Sequence, residues 1–206
     1  FGSLYTGTFE PDRETKLSAE VQGKINAIYA DAGSYVRKGQ PLIKLDDALL
    51  KHQLQAVAVQ IEGLEDDVKR YTVLVEAEAI QGVQLEKAIL GLKAAKVQRS
   101  TLQEQLNKTI IYAPFNGIVT MKLTEVGAFA SPGIALLQLT DIGQLRFTVN
   151  VPESDLNLFS PNQIYPIKAD AYPDLILSGK AILIGSKVNT GNSFPVQFLV
   201  SNTDDL

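Results

Sequence analysis

From Asp47 to Asn107 the apolar residues recur at alternating steps of three and four, and helix breakers are nearly absent. Leu50, Leu54, Val57, Ile61, Leu64, Val68, Tyr71 and Val75 hold that alternation without a failure, which is the seam of a supercoiled helix. Leu85, Ala88, Leu92, Ala95, Arg99, Leu102 and Leu106 repeat it more weakly, because alanine and arginine interrupt it. The pattern predicts two antiparallel helices, with Asp46 or Asp47 capping the first and Glu78 to Gly82 making the reversal. At about 1.5 Å per residue each arm would reach roughly 40 Å, farther than a compact domain of this size encloses.

On both sides of this stretch the period shortens and glycine punctuates it. Ala19, Gly23, Gly33, Gly39, Leu42, Leu45 and Asp47 recur 94 residues later as Ala113, Gly117, Gly127, Gly133, Leu136, Leu139 and Asp141. Leu17/Ile111, Ile25/Val119, Tyr35/Phe129 and Ile43/Leu137 are near matches in the same frame. Glycines at fixed places imply turns with positive φ or close backbone approach. Each half is too short to hold a core, so the halves are expected to pack face to face as one quasi-symmetric β-sandwich. The helical pair would leave from the connection between them.

The flanks read as a second β module. Phe1 to Glu10 alternates as a strand that Pro11 and a charged turn over Asp12 to Lys16 are expected to close. Leu145 to Val151 alternates likewise, and Pro152 to Asp155 opens a short helical turn through Phe159. Ile164 to Ala171, Gly179 to Gly185 and Val196 to Val200 complete a small antiparallel barrel, with turns at Tyr172-Pro173-Asp174 and Asn189 to Asn192.

Composition narrows the chemistry. A net charge of −4 offers no basic patch, so nucleic acid is a poor partner. With no cysteine, disulfides, thiolate metal sites and a cysteine nucleophile are excluded. No apolar run is long enough to span a bilayer; the chain opens on Phe1 without an initiator methionine, and an N-terminal segment is expected to have been removed. His52, the sole histidine, is the only candidate member of a triad or histidine metal site and reads instead as a solvated position on the flank of the first arm; with Met121 the sole methionine, a methionine-rich metal relay is unsupported. Asp46/Asp47, Asp66/Asp67 and Asp204/Asp205 are neighbours without a recurrent partner and read as a cap, a solvated face and a turn. No phosphate-cradling glycine loop follows a strand. Gly63 and Gly91 each cost a helix about 1 kcal/mol relative to alanine; with Ala56, Val59, Ala94 and Val97 they suggest a second, small-residue face for side-by-side packing.

Two such halves resemble the lipoyl/biotinyl fold. A helical hairpin splitting them is similar to the periplasmic adaptor, or membrane fusion, proteins of tripartite efflux pumps in the HlyD-like superfamily. The join at Leu106, Thr109, Ile111, Ala113, Pro114, Phe115, Gly117 and Val119 carries the likeness most closely. The resemblance implies an elongated α+β chain: a β-barrel over 1–16 and 142–206, a lipoyl-like domain over 17–46 and 108–141, and a coiled-coil hairpin over 47–107 with its tip near 76–82. It also implies a closing barrel strand and a membrane-proximal domain beyond Leu206. By the same resemblance the protein is non-enzymatic, holds no cofactor and is periplasmic, anchored to the inner membrane through the removed segment. It would join an RND-type inner-membrane transporter to a TolC-like outer-membrane channel, self-associate into a ring, sixfold by family analogy, and serve export of small compounds.

Two alternatives stand beside that reading. One is an adaptor of an ABC-type exporter or type I secretion system. The other is a lipoyl or biotinyl carrier, for which Lys44 and Lys51 lie near the junction but not in a tight turn between the halves. In the adaptor family the hairpin tip carries an arginine, a leucine four residues on and a serine eleven residues after the arginine, which engage the channel. Arg70 and Leu74 match the first two places and Gln81 stands at the third, where glutamine caps a helix poorly.

Overall fold

The computed structural model describes residues 4–169, 172–185 and 193–202. Its elements are β1 (Gly7–Ser18), β2 (Gly23–Ile28), β3 (Tyr35–Val36), β4 (Pro41–Leu45), α1 (Ala48–Glu76), α2 (Gly82–Asn107), β5 (Ile110–Tyr112) and β6 (Gly117–Lys122). There follow β7 (Phe129–Ala130), β8 (Ala135–Pro152), a 3-10 helix (Glu153–Leu158), β9 (Ile164–Ala169), β10 (Tyr172–Ile184) and β11 (Ser193–Ser201). One sheet runs β3-β6-β8-β11-β10-β9, with β1 also paired to β8; the other runs β5-β4-β2-β7.

The 94-residue repeat is realised as a two-fold exchange of strand pairs. Gly23 pairs with Ala130, and its mirror image Val36 pairs with Gly117. Ile43 pairs with Ile111, as Leu17 pairs with Leu137. Even the irregularities repeat, with register shifts between Ile25 and Ala27 and between Val119 and Met121. The loop crossings match too: Gly33 N donates to Val119 O at 2.7 Å, and Gly127 N to Ile25 O at 2.8 Å. At the turns Gly33 and Gly127 both have φ of 91°, and Gly39 and Gly133 have 82° and 84°. A side chain there would meet open space, so backbone conformation rather than crowding selects glycine. The halves bury one shared core around Ile25, Val36, Leu42, Leu45, Val119 and Leu139.

Between the halves, α1 and α2 pack on each other with a small core of their own, Val57, Ile61 and Ala95 flanked by Leu64, Leu92 and Leu102. All eight positions of the first-arm alternation are buried or half-buried, whereas Arg99 of the second is exposed. Its place in the seam is thus nominal, since the guanidinium stays in water. Gly91 lies against the partner helix, where a Cβ would be 3.6 Å from Leu64 Cδ2, while Gly63 faces open space. The expected small-residue outer face therefore does not include Gly91.

A third core joins Phe147, Val149, Val151, Val196 and Phe198, and the rings of Phe159 and Tyr165 stack edgewise on Phe198. β8 serves two cores, giving Leu136, Leu137 and Leu139 to the first and Phe147, Val149 and Val151 to this one. The expected divisions at 16/17 and 141/142 fall inside β1 and β8, so no loop separates the two β regions.

Several expectations are corrected. The first strand does not end at Pro11: β1 runs on through Asp12 to Lys16, paired to β8. Proline is tolerated because β1 is an edge strand and the register shifts between Pro11 and Arg13. At the other end Leu4 is 96% exposed and outside the strand. Tyr172-Pro173-Asp174 does not separate two strands but begins β10, whose pairing to β9 slips between Tyr172 and Ile176. The expected turn at Asn189 to Asn192 and the acids Asp204/Asp205 lie outside the described residues.

Candidate functional site: the turn between the helices

α1 ends in a backbone motif rather than a side-chain cap. Ala79 N donates to Leu74 O at 2.9 Å and Glu78 N to Val75 O at 3.0 Å, the paired bonds of a Schellman closure. The closure needs a left-handed residue, and here it is Glu78 with φ of 56°. That position ordinarily falls to glycine, because a Cβ makes it strained. Sequence reading placed a reversal here but had no signal for the strained glutamate.

Arg70 and Leu74 lie one turn apart on α1 and so share a face. Arg70 is exposed and forms an exposed ion pair to Asp67 at 3.4 Å; Leu74 is half-buried and its carbonyl anchors the closure. Gln81 is the exposed N-cap of α2, with extended backbone at φ −76° and ψ 142° and no side-chain bond to the helix amides. The three residues thus flank one turn, two before it and one after it. Glu76 and Glu78 beside them are exposed, giving the tip an acidic rim.

At the opposite end the pair is tied to the sheets. Asp47 Oδ2 lies 3.0 Å from Lys51 Nζ and 3.5 Å from Lys44 Nζ, and the bond from Lys51, with Lys44 nearby, lowers the Asp47 carboxyl below its ordinary range. Asp47 occupies the N-cap position of α1 without capping; the Asp46 carboxylate takes the Ala48 amide instead, at 3.0 Å. Lys108 at the end of α2 reaches Glu20 at 2.9 Å, and that bond raises the lysine's pKa. Lys44 and Lys51 are thus held by Asp47 rather than presented on a tight turn.

His52 is exposed on α1, and among the described residues no group of acids and histidine is placed to hold a metal. Among them, too, no helix is long and apolar enough to cross a membrane.

A repeat of sandwich halves split by a helical pair has a counterpart among known families. Residues 13–141 match the family model described as RND MFP, barrel-sandwich hybrid domain. The chain belongs to the membrane fusion proteins. The macrolide export protein MacA of Yersinia pestis is 24% identical over 98% of the chain and 64% of its own length. The membrane fusion protein MtrC of Neisseria gonorrhoeae is 25% identical over 92% of the chain and 48% of its own. The chain therefore spans about half to two thirds of these curated relatives. Among solved structures, a MacA-MexA chimera containing the Pseudomonas aeruginosa MexA α-hairpin domain superposes with a TM-score of 0.82 at 20% identity, over 97% of the chain and 74% of the chimera.

Proposed function

We infer that this membrane fusion protein is the periplasmic adaptor of a tripartite efflux system, linking an inner-membrane transporter to an outer-membrane channel. The observation that carries the reading is the split sandwich itself: the match over residues 13–141 spans both halves and the helical pair between them. An RND-type transporter is the preferred partner, because the matched family is described by that class. The domain division is barrel, lipoyl-like sandwich and coiled-coil hairpin, with β1 and β8 running through the first junction. The work of such a protein is geometric, holding two membrane proteins in register while exported small compounds pass.

Self-association into a ring is the second component. Val59, Val73, Leu90 and Val97 are exposed on the helices by 63% to 66%, more apolar surface than a solitary pair needs. α1 carries five acids against three bases, whereas α2 carries four bases against two acids. A head-to-tail neighbour would bring unlike charges together.

The tip residues Arg70, Leu74 and Gln81 are proposed to meet the channel. Photocrosslinkers at Arg70 and Gln81 in cells should trap an outer-membrane protein, while the same probe at Lys24 in the sandwich should not. Equal yields from all three places, or no loss of efflux when the gene is deleted, would remove the reading.

A further inference from the structure

Where the chain passes from one β core to the other, its ladder opens. Pro11 pairs with Leu145 and Arg13 with Asp141, so Asp12 alone faces Ile142, Gly143 and Gln144. The opening leaves a cleft of about 440 Å³ whose walls include Arg13, Tyr35, Lys38, Phe115, Asn116 and Asp141. Each wall is fixed by bonds of its own. Asp141 Oδ1 accepts from Gly143 N at 2.9 Å, and Asn202 donates through Nδ2 to Ile142 O at 2.8 Å and through its amide to Gly143 O at 3.0 Å. On the facing side Asn116 Oδ1 accepts from Lys38 N at 2.7 Å.

The two cations of the cleft are under-used. Arg146 holds Asp12 Oδ1 at 2.8 Å, whereas Arg13 makes only a long ion pair to Oδ2, at 3.8 Å from Nε, with 62% of its side chain exposed. Lys38 forms no ion pair among the described residues. Two rings also line the cleft, Tyr35, which is 57% exposed, and Phe115, half-buried against the sandwich core. Forked guanidinium donors suit a carboxylate, and aromatic walls suit a flat apolar body. Asp141 contributes one negative charge to the same cleft, which disfavours a second negative charge on the occupant.

We propose that this cleft is a binding site for a small aromatic monocarboxylate, its carboxylate on Arg13 and Lys38 and its ring between Tyr35 and Phe115. The site draws its walls from both β regions, so occupancy bears on the junction between them. It does not depend on the adaptor reading, and its test has no export readout.

The test is an amide NMR titration of the whole chain with 2-naphthoate, 2-naphthamide and naphthalene-2,6-dicarboxylate. Saturable shifts at Gly143 and the Lys38 amide are expected with 2-naphthoate, and binding about tenfold weaker with the neutral amide, since a charge-assisted hydrogen bond is lost. The dianion should bind no more tightly than the monoanion. Arg13→Gln and Lys38→Gln, both surface changes that leave the cores untouched, should each weaken 2-naphthoate several-fold, while Lys16→Gln should not. Equal binding of acid and amide, unchanged affinity in both cleft variants, or linear shifts without saturation would overturn the proposal.

Discussion

A Cβ placed on Gly117 would stand 2.3 Å from the carbonyl oxygen of Thr140. Its repeat counterpart is different: a Cβ on Gly23 would first meet Leu45 Cβ, at an ordinary 3.5 Å. The same glycine, in the same mirrored pairing, is therefore obligatory in one half and permitted in the other. Gly117→Ala is expected to destabilise the sandwich by about 2–3 kcal/mol, since backbone must move. Gly23→Ala should stay within about 1 kcal/mol of the parent. Thermal unfolding of the two variants checks the difference, and equal losses would refute it.

The strained Glu78 gives a second expectation. Because φ of 56° costs a side chain more than it costs glycine, Glu78→Gly should stabilise the helical pair by about 0.5–1 kcal/mol despite the greater freedom of an unfolded glycine. Slower hydrogen exchange at the Ala77 and Ala79 amides would register it. Faster exchange there would mean that the glutamate holds the turn by some other contact.

How much of this was legible follows from the range of the interactions involved. The helical seam is a local repeat, so Leu50 to Val75 could be read by counting, and each of those residues is at least half-buried. The mirrored sandwich was legible because duplication writes long-range pairing into one chain twice. Residues Pro11 to Lys16 were not, because their strand is polar, contains proline and is specified only by β8, more than a hundred positions away. The tip residues could be chosen only by resemblance. Nothing local announces that Leu74 anchors a closure through its carbonyl, or that Glu78 carries the left-handed turn.

Acid should loosen the base of the helical pair. The Asp47 carboxyl is lowered by its bond from Lys51 and by Lys44 nearby. A depressed folded value gives stability that is present above the unfolded value, near 3.8, and is lost as pH falls through the lowered folded one. The contribution is that of a solvent-screened pair, at most about 1 kcal/mol. Asp47→Asn should therefore unfold earlier than the parent at pH 6, with the gap closing by pH 2.5 as the parent carboxyl protonates. A gap that is constant across this range would assign the loss to something other than charge.

The last expectation separates helix stability from recognition at the tip. Gln81 holds the N-cap of α2 with extended backbone, the conformation that serine uses to accept an amide of the first turn, yet its own side chain makes no such bond. Gln81→Ser is then expected to stabilise α2 by about 1 kcal/mol, while Gln81→Ala stays near the parent because no cap is removed. Circular dichroism melts of the two variants measure that step alone. If the tip meets a channel through a hydrogen bond from residue 81, export in cells should fall with alanine and persist with serine, although alanine leaves the helix no less stable. Parallel changes in melting and export across the two variants would instead make residue 81 a helix cap without a partner.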